Sequence, residues 1–198
     1  MSKPDRRRQL LDVAKTLLDD GYTGELTLAI LADRAGVSKP IAYDHFGTRS
    51  GLLVAMLEDI SQYYESDAAA KIARAPVTLS AVAKIVATAY IQCAMEAGPA
   101  AMVLAAAVEA DADARAAGRA VQLDHAASFQ RAFEGVLMQH GQDLAPLFRA
   151  LVAAANAICD DRHQDKISMN TAIETLTHLF VSSLRVFAND KERKRRPS

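Results

Sequence analysis

Between residues 38 and 49 the chain reads SKPIAYDHFGTR, a stretch dense in groups that can meet an anionic oxygen. A Tyr43 hydroxyl and a His45 ring can each reach a phosphate, and Arg49 can add a full charge beside them. Other reactive side chains make weaker patterns. Cys93 and Cys159 are too far apart in sequence for a local metal motif. His163 follows Cys159 by four residues, but a closed zinc site needs four ligands, so both thiols read as reduced and structural. Glu109, Asp111 and Asp113 read as a solvated helix end. There is no Glu-x-x-His pair, no Gly-x-Ser-x-Gly elbow, no phosphate-cradling glycine loop and no Cys/His dyad. The expectation is therefore no enzyme, no metal and no cofactor. A helical-bundle hydrolase or oxygenase has no residue pattern behind it.

The elements that would position this stretch are two short helices. A first, Thr27 to Ala35, is stopped by Gly36, where a glycine just past a helix end is expected. Val37 plugs the turn. Ser38 is expected to cap the second helix, Lys39 to Phe46, with Pro40 tolerated in its first turn. Two helices joined by a short glycine-containing turn form a helix-turn-helix, whose second member enters the DNA major groove. Ile41, Ala42 and Phe46 are the packing face. Lys39, Pro40, Tyr43 and Asp44 are left to point outward.

The rest of the chain is helical in pattern, with no convincing period-two stretch. Apolar stripes such as Leu10–Ala14–Leu17–Leu18 and Leu53–Met56–Leu57–Ile60 recur along 198 residues. Breaks fall at Gly21 and Gly24, Gly47–Thr48, Ala75–Pro76, Gly98–Pro99, Gly118 and Gly141, with Asp143 and Ser168 as helix caps. The expectation is an all-α chain of about nine helices. Residues 1–50 would be the helix-turn-helix domain, 51–190 a helical bundle, and 191–198 a basic, disordered tail. No apolar run reaches the roughly 18 residues of a membrane span and no signal peptide is visible, which points to a cytoplasmic protein.

Net charge is only −1, so DNA binding must rest on local placement. Through Arg49 the bases Lys3, Arg6, Arg7, Arg8, Lys15, Arg34, Lys39 and Arg49 barely exceed seven acids. Arg6, Arg7 and Arg8 divide evenly between a solvated helix end and phosphate contacts.

Residues 5 to 60 resemble the DNA-binding domain of the tetracycline-repressor (TetR) family. The resemblance is carried by Gly36-Val37-Ser38, Tyr43-Asp44-His45-Phe46, Arg49 and Leu52-Leu53. It implies a homodimeric transcriptional regulator, most simply a repressor, on a palindromic operator in double-stranded DNA. Matched onto this chain, Thr27, His45 and Arg49 fall at phosphate-contacting positions, and Lys39, Pro40 and Tyr43 at base-contacting ones. Ser38 joins them at the turn. Two departures stand out. Arg49 replaces the more usual Lys, and Asp44 places a carboxylate that would repel phosphate unless it accepts from cytosine N4 or pairs with a neighbour. A near-neutral head domain and Asp44 are also what would support the alternative, an interaction module that has lost DNA binding.

The resemblance further implies a C-terminal domain for pairing and for a possible small-molecule effector. Pocket candidates are Tyr64, Tyr90, Cys93, Met102, His125, Phe129 and Phe133. Candidates for the dimer interface are Leu151, Ala155 and Ile158 on one late helix, and Leu176, Phe180, Ser183, Leu184 and Phe187 on the next. The plainer alternative for both sets is intramolecular core.

Overall fold

The computed structural model describes residues 2–22, 26–108, 112–138 and 143–188, with backbone alone at 99–108, 112–114 and 117. The fold is all-α. The described residues form eight α-helices: α1 (Lys3–Asp19), α2 (Leu28–Arg34), α3 (Lys39–Phe46), α4 (Arg49–Ile72), α5 (Leu79–Val108), α6 (Ala112–Phe133), α7 (Ala145–His163) and α8 (Met169–Leu184). A single 3-10 turn, Arg185–Phe187, follows α8. With that turn the described residues carry nine helical elements, in line with the expected count of about nine, though two expected breaks do not occur. Gly98–Pro99 lies inside α5 and Gly118 inside α6. Both flanks of each are rich in alanine, the strongest helix former, and that propensity outweighs one local breaker.

The chain divides into two compact units. One joins Met1–Ser61 to Glu96–Val121, the other Gln62–Met95 to Gln122–Ser198. Neither is a continuous stretch. The long helices α4, α5 and α6 carry residues of both units.

The first unit buries Leu10, Ala14 and Leu17 of α1, Leu31 and Ala32 of α2, Ala42 of α3, and Leu52 and Leu53 of α4 in one apolar core. Its turns are built from local hydrogen bonds. At the end of α2 the Val37 N–H donates to the Ala32 carbonyl at 2.9 Å and the Gly36 N–H to Asp33 at 3.1 Å. This Schellman pairing needs a left-handed residue, and Gly36 supplies φ 66°. Val37 is half-buried against the core, as its place in the turn requires.

The second unit is organised around aromatic rings. Phe129 and Phe180 meet edge to face at 5.0 Å, and Phe133 lies 5.3 Å from Phe180 and 6.2 Å from Phe148. Such contacts add about 0.5–1.5 kcal/mol each beyond their burial. Helices α7 and α8 pack on this cluster. Ser168 caps α8 by accepting from the Thr171 N–H at 3.0 Å. Asp143 caps α7 from one residue further out than usual, accepting from the Ala145 N–H.

Candidate nucleic-acid interface

α3 is held by one face and offered by the other. Ala42 and Phe46 are buried and Ile41 is half-buried, while Lys39, Pro40, Tyr43 and Asp44 are exposed. Tyr43 is 52% exposed, a large value for an aromatic ring that could have packed inward. His45 is half-buried, its ring 6.0 Å from that of Phe46.

Thr27 caps α2, its hydroxyl accepting from the Ile30 N–H at 3.2 Å. A hydroxyl that accepts can still donate its own hydrogen outward. Ser38 stands at the N-cap of α3 with extended backbone, but its hydroxyl makes no capping bond. Pro40 has no N–H to give, and the Ile41 N–H goes to the Ser38 carbonyl at 3.0 Å. The expected side-chain cap is therefore corrected: Ser38 caps by position, and its hydroxyl stays on the exposed surface beside Lys39.

Arg49 opens α4 and is half-buried. Its Nε donates to the Leu26 carbonyl at 2.7 Å, tying the start of α4 to the segment that leads into α2. Thr48 caps α4 by accepting from the Gly51 N–H at 3.0 Å. Gly51 escapes a motif reading. A Cβ there would fall on the Phe46 carbonyl oxygen, so only glycine lets the end of α3 and the start of α4 approach this closely.

The N-terminal arginines are mostly spoken for. Arg8 pairs with Asp59 at 2.8 Å, and Arg7 lies over the Phe46 ring at 5.4 Å and 3.9 Å from Glu58. Arg6 donates to Gln9. These contacts favour the structural side of the even division left by the sequence. Lys3 contributes unexpectedly: its Nζ lies 3.0 Å from Asp44 Oδ2, and the ammonium holds that carboxyl below the ordinary range.

These elements match the family model for bacterial regulatory proteins of the tetR family over residues 10–56. Residues 10–56 are thus similar to the helix-turn-helix of tetR-family proteins. The chain is similar to the HTH-type transcriptional regulator BetI of Cronobacter sakazakii, with 37% identity over 70 residues. That match covers 35% of each protein, so the chain spans about a third of the length of this curated relative. Solved tetR-type structures share the whole fold. One is a tetR-family transcriptional regulator from Streptomyces coelicolor (TM-score 0.66, 21% identity, 94% of this chain and 83% of that one). Another is the multidrug binding protein EbrR complexed with imidazole (TM-score 0.61, 22% identity, 89% and 90% covered).

The residues expected to line a pocket divide. In the second unit, Tyr90 meets His125 at 5.4 Å and Phe129 at 5.0 Å, and its hydroxyl donates to Asn156 Oδ1 at 2.7 Å. Burial pushes Tyr90 well above the usual phenol range and His125 below the usual imidazole range. Phe133 is fully buried beyond them, and Cys93 is buried one turn from Tyr90 on α5. Tyr64 meets Tyr63 edge to face, ring centroids 5.1 Å apart. The side chain of Met102 lies outside the described residues. The nearest neighbours of Tyr90 include one residue that helical periodicity did not single out, Asn156, a polar group on an otherwise apolar face of α7.

The residues expected at an interface divide as well. Leu151, Ala155, Leu176, Phe180 and Leu184 are buried in the unit's own core. Ile158, Ser183 and Phe187 are half-buried. The solvent side of α7 carries Ala150, Ala153 and Ala157, and that of α8 carries Thr175, His178 and Ser182. Cys159 is also buried, with its thiol pushed up to about 12. His163 turns its Nδ1 to the Cys159 carbonyl at 2.9 Å. Among the described residues no three His, Cys, Asp or Glu converge as metal ligands would, and no helix is long and apolar enough to cross a membrane.

Proposed function

We propose that the chain is a sequence-specific DNA-binding transcriptional regulator, acting as a homodimer on a two-fold operator. The observation that carries this reading is the two-sided character of α3, with Ala42 and Phe46 buried and Lys39, Pro40 and Tyr43 exposed together. An aromatic and a cation left outward at the start of a short helix suit a groove lined with base edges and phosphates. Thr27, Ser38, His45 and Arg49 surround that face with donors suited to phosphate oxygens. A two-fold operator calls for two copies with recognition helices about 34–36 Å apart, or a multiple of that. The exposed α7 and α8 faces are the surface we assign to pairing.

Response to a small molecule is part of the proposal. The ring cluster around Tyr90, with the Asn156 amide and the His125 imidazole at its edge, suits a compound with a flat apolar body and one polar group. The related EbrR structure holds imidazole. A compound held by Tyr90 acts on α5, a helix whose later residues belong to the DNA-binding unit. A coupling of about 1–3 kcal/mol is typical of such switches.

The test is a gel shift of the full chain on the upstream region of its own gene and on scrambled duplex. Arg49→Ala weakens both alike, whereas Lys39→Ala and Tyr43→Ala also flatten the preference for the cognate duplex. Equal losses on both duplexes for all three variants contradict the assignment, and salt-independent retention removes DNA from the account.

A further inference from the structure

Asp44 lies two residues from each of the buried anchors of α3, Ala42 and Phe46. At about 100° per residue that places it roughly opposite their mid-line. The side chain at the centre of the outward face is therefore an anion, on a helix read as facing a polyanion. It is 68% exposed and no core contact accounts for it. Its partner comes from far along the chain: Lys3, at the first turn of α1, sits 3.0 Å away and is itself 71% exposed.

We propose that Asp44 is a base-discriminating residue that selects cytosine, and that Lys3 is the positioning residue that makes its charge tolerable beside phosphate. This rests on the DNA-binding reading above. A carboxylate can only accept hydrogen bonds. In the major groove the exocyclic amines of cytosine and adenine are the donors. Guanine N7 and O6, thymine O4 and adenine N7 all present acceptors. Cytosine N4–H₂ is the edge that suits a single carboxylate, because adenine's amine sits beside an acceptor that repels it. Lys3 neutralises the long-range repulsion without filling both carboxylate oxygens: Oδ2 takes the ammonium, and a carboxylate has about four lone-pair sites.

The experiment uses the full chain and a duplex selected by it from a random pool. Anisotropy at fixed salt then measures every single-base variant of that duplex. Wild type shows one position in each half-site where cytosine is preferred by roughly 5- to 150-fold. Asp44→Ala flattens that position and leaves the others in place. Asp44→Asn shifts it towards adenine, the base that an Asn amide pairs with. Lys3→Ala weakens all variants alike, and loses that effect when combined with Asp44→Asn. An Asp44→Ala profile identical to wild type overturns the proposal, as does a Lys3→Ala loss that persists unchanged in the Asp44→Asn background. Selection of no duplex by wild type is a different failure: it removes the functional reading itself. Both side chains are exposed, so unchanged circular dichroism of the variants serves as the folding control.

Discussion

Replacing Gly51 by alanine tests the packing of the first unit where propensity and geometry disagree. Gly51 is the third residue of α4, and in an open helix glycine to alanine stabilises by up to about 1 kcal/mol. Here an added Cβ lies well under 3.0 Å from the Phe46 carbonyl oxygen, 3.3 Å from its carbon and 3.4 Å from Thr48 Oγ1. The obstacle is backbone and cannot swing aside. Relief requires α4 to move off the end of α3, which strains the Gly51 N–H to Thr48 Oγ1 bond and the Thr48 N–H to Phe46 carbonyl bond of 2.7 Å. Overpacking costs about 1–3 kcal/mol and a lost cap about 1 kcal/mol. Against the propensity gain, the expected net loss is about 1–3 kcal/mol. For a chain of this length that lowers Tm by roughly 3–10 °C. Thermal and urea unfolding followed by far-ultraviolet circular dichroism measure it, with amide exchange locating the loss in α2 to α4. Gly135→Ala is the control, because a Cβ there meets nothing within 4 Å. A Gly51→Ala protein as stable as wild type would refute the argument from close approach.

Two further outcomes follow from the second unit. Tyr90→Phe removes the donor to Asn156 Oδ1 and lowers stability by about 1–3 kcal/mol, read as a shift of the urea midpoint; an unmoved midpoint contradicts the hydrogen bond. Burial raises Cys159 from an ordinary value near 9 to about 12, so the folded chain binds a proton that the unfolded chain releases first. Its contribution is fully present below pH 9 and is lost as pH rises towards about 12. In the same way, Cys159 should resist iodoacetamide at pH 8 until denaturant is added, and rapid labelling of the native protein at that position would count against the burial.

Much of the head domain was legible because its signals are local. Gly36 and Thr48 act on backbone groups within three to five residues, so residue type and spacing suffice. The outward face of α3 followed from periodicity alone. The Lys3–Asp44, Arg7–Glu58 and Arg8–Asp59 contacts did not, because charges carry no period that names a distant partner. Gly51 was missed for a similar reason: its constraint is a carbonyl on another helix. In α7 and α8 the apolar stripes are visible in the sequence, but whether they face a second chain or their own core is not. Leu176 and Phe180 look the same in sequence whether they face a second chain or Phe129 and Phe133. Only placement decides between those, and the residues left for pairing are the small and polar ones between the stripes. At Gly98–Pro99 a local stop signal was overruled by alanine-rich flanks.

The bond from Arg49 to the Leu26 carbonyl bears on the exchange of lysine for arginine at this position. A planar guanidinium has five N–H donors in a fixed fork, so it can grip one oxygen through Nε and still present an edge to another. An ammonium on a flexible stem would have to choose. Holding a long side chain still beforehand spares about 0.5–1.5 kcal/mol of ordering when a second oxygen arrives. The substitution thus turns a wandering charge into a fixed fitting, whose aim is set by the segment leading into α2.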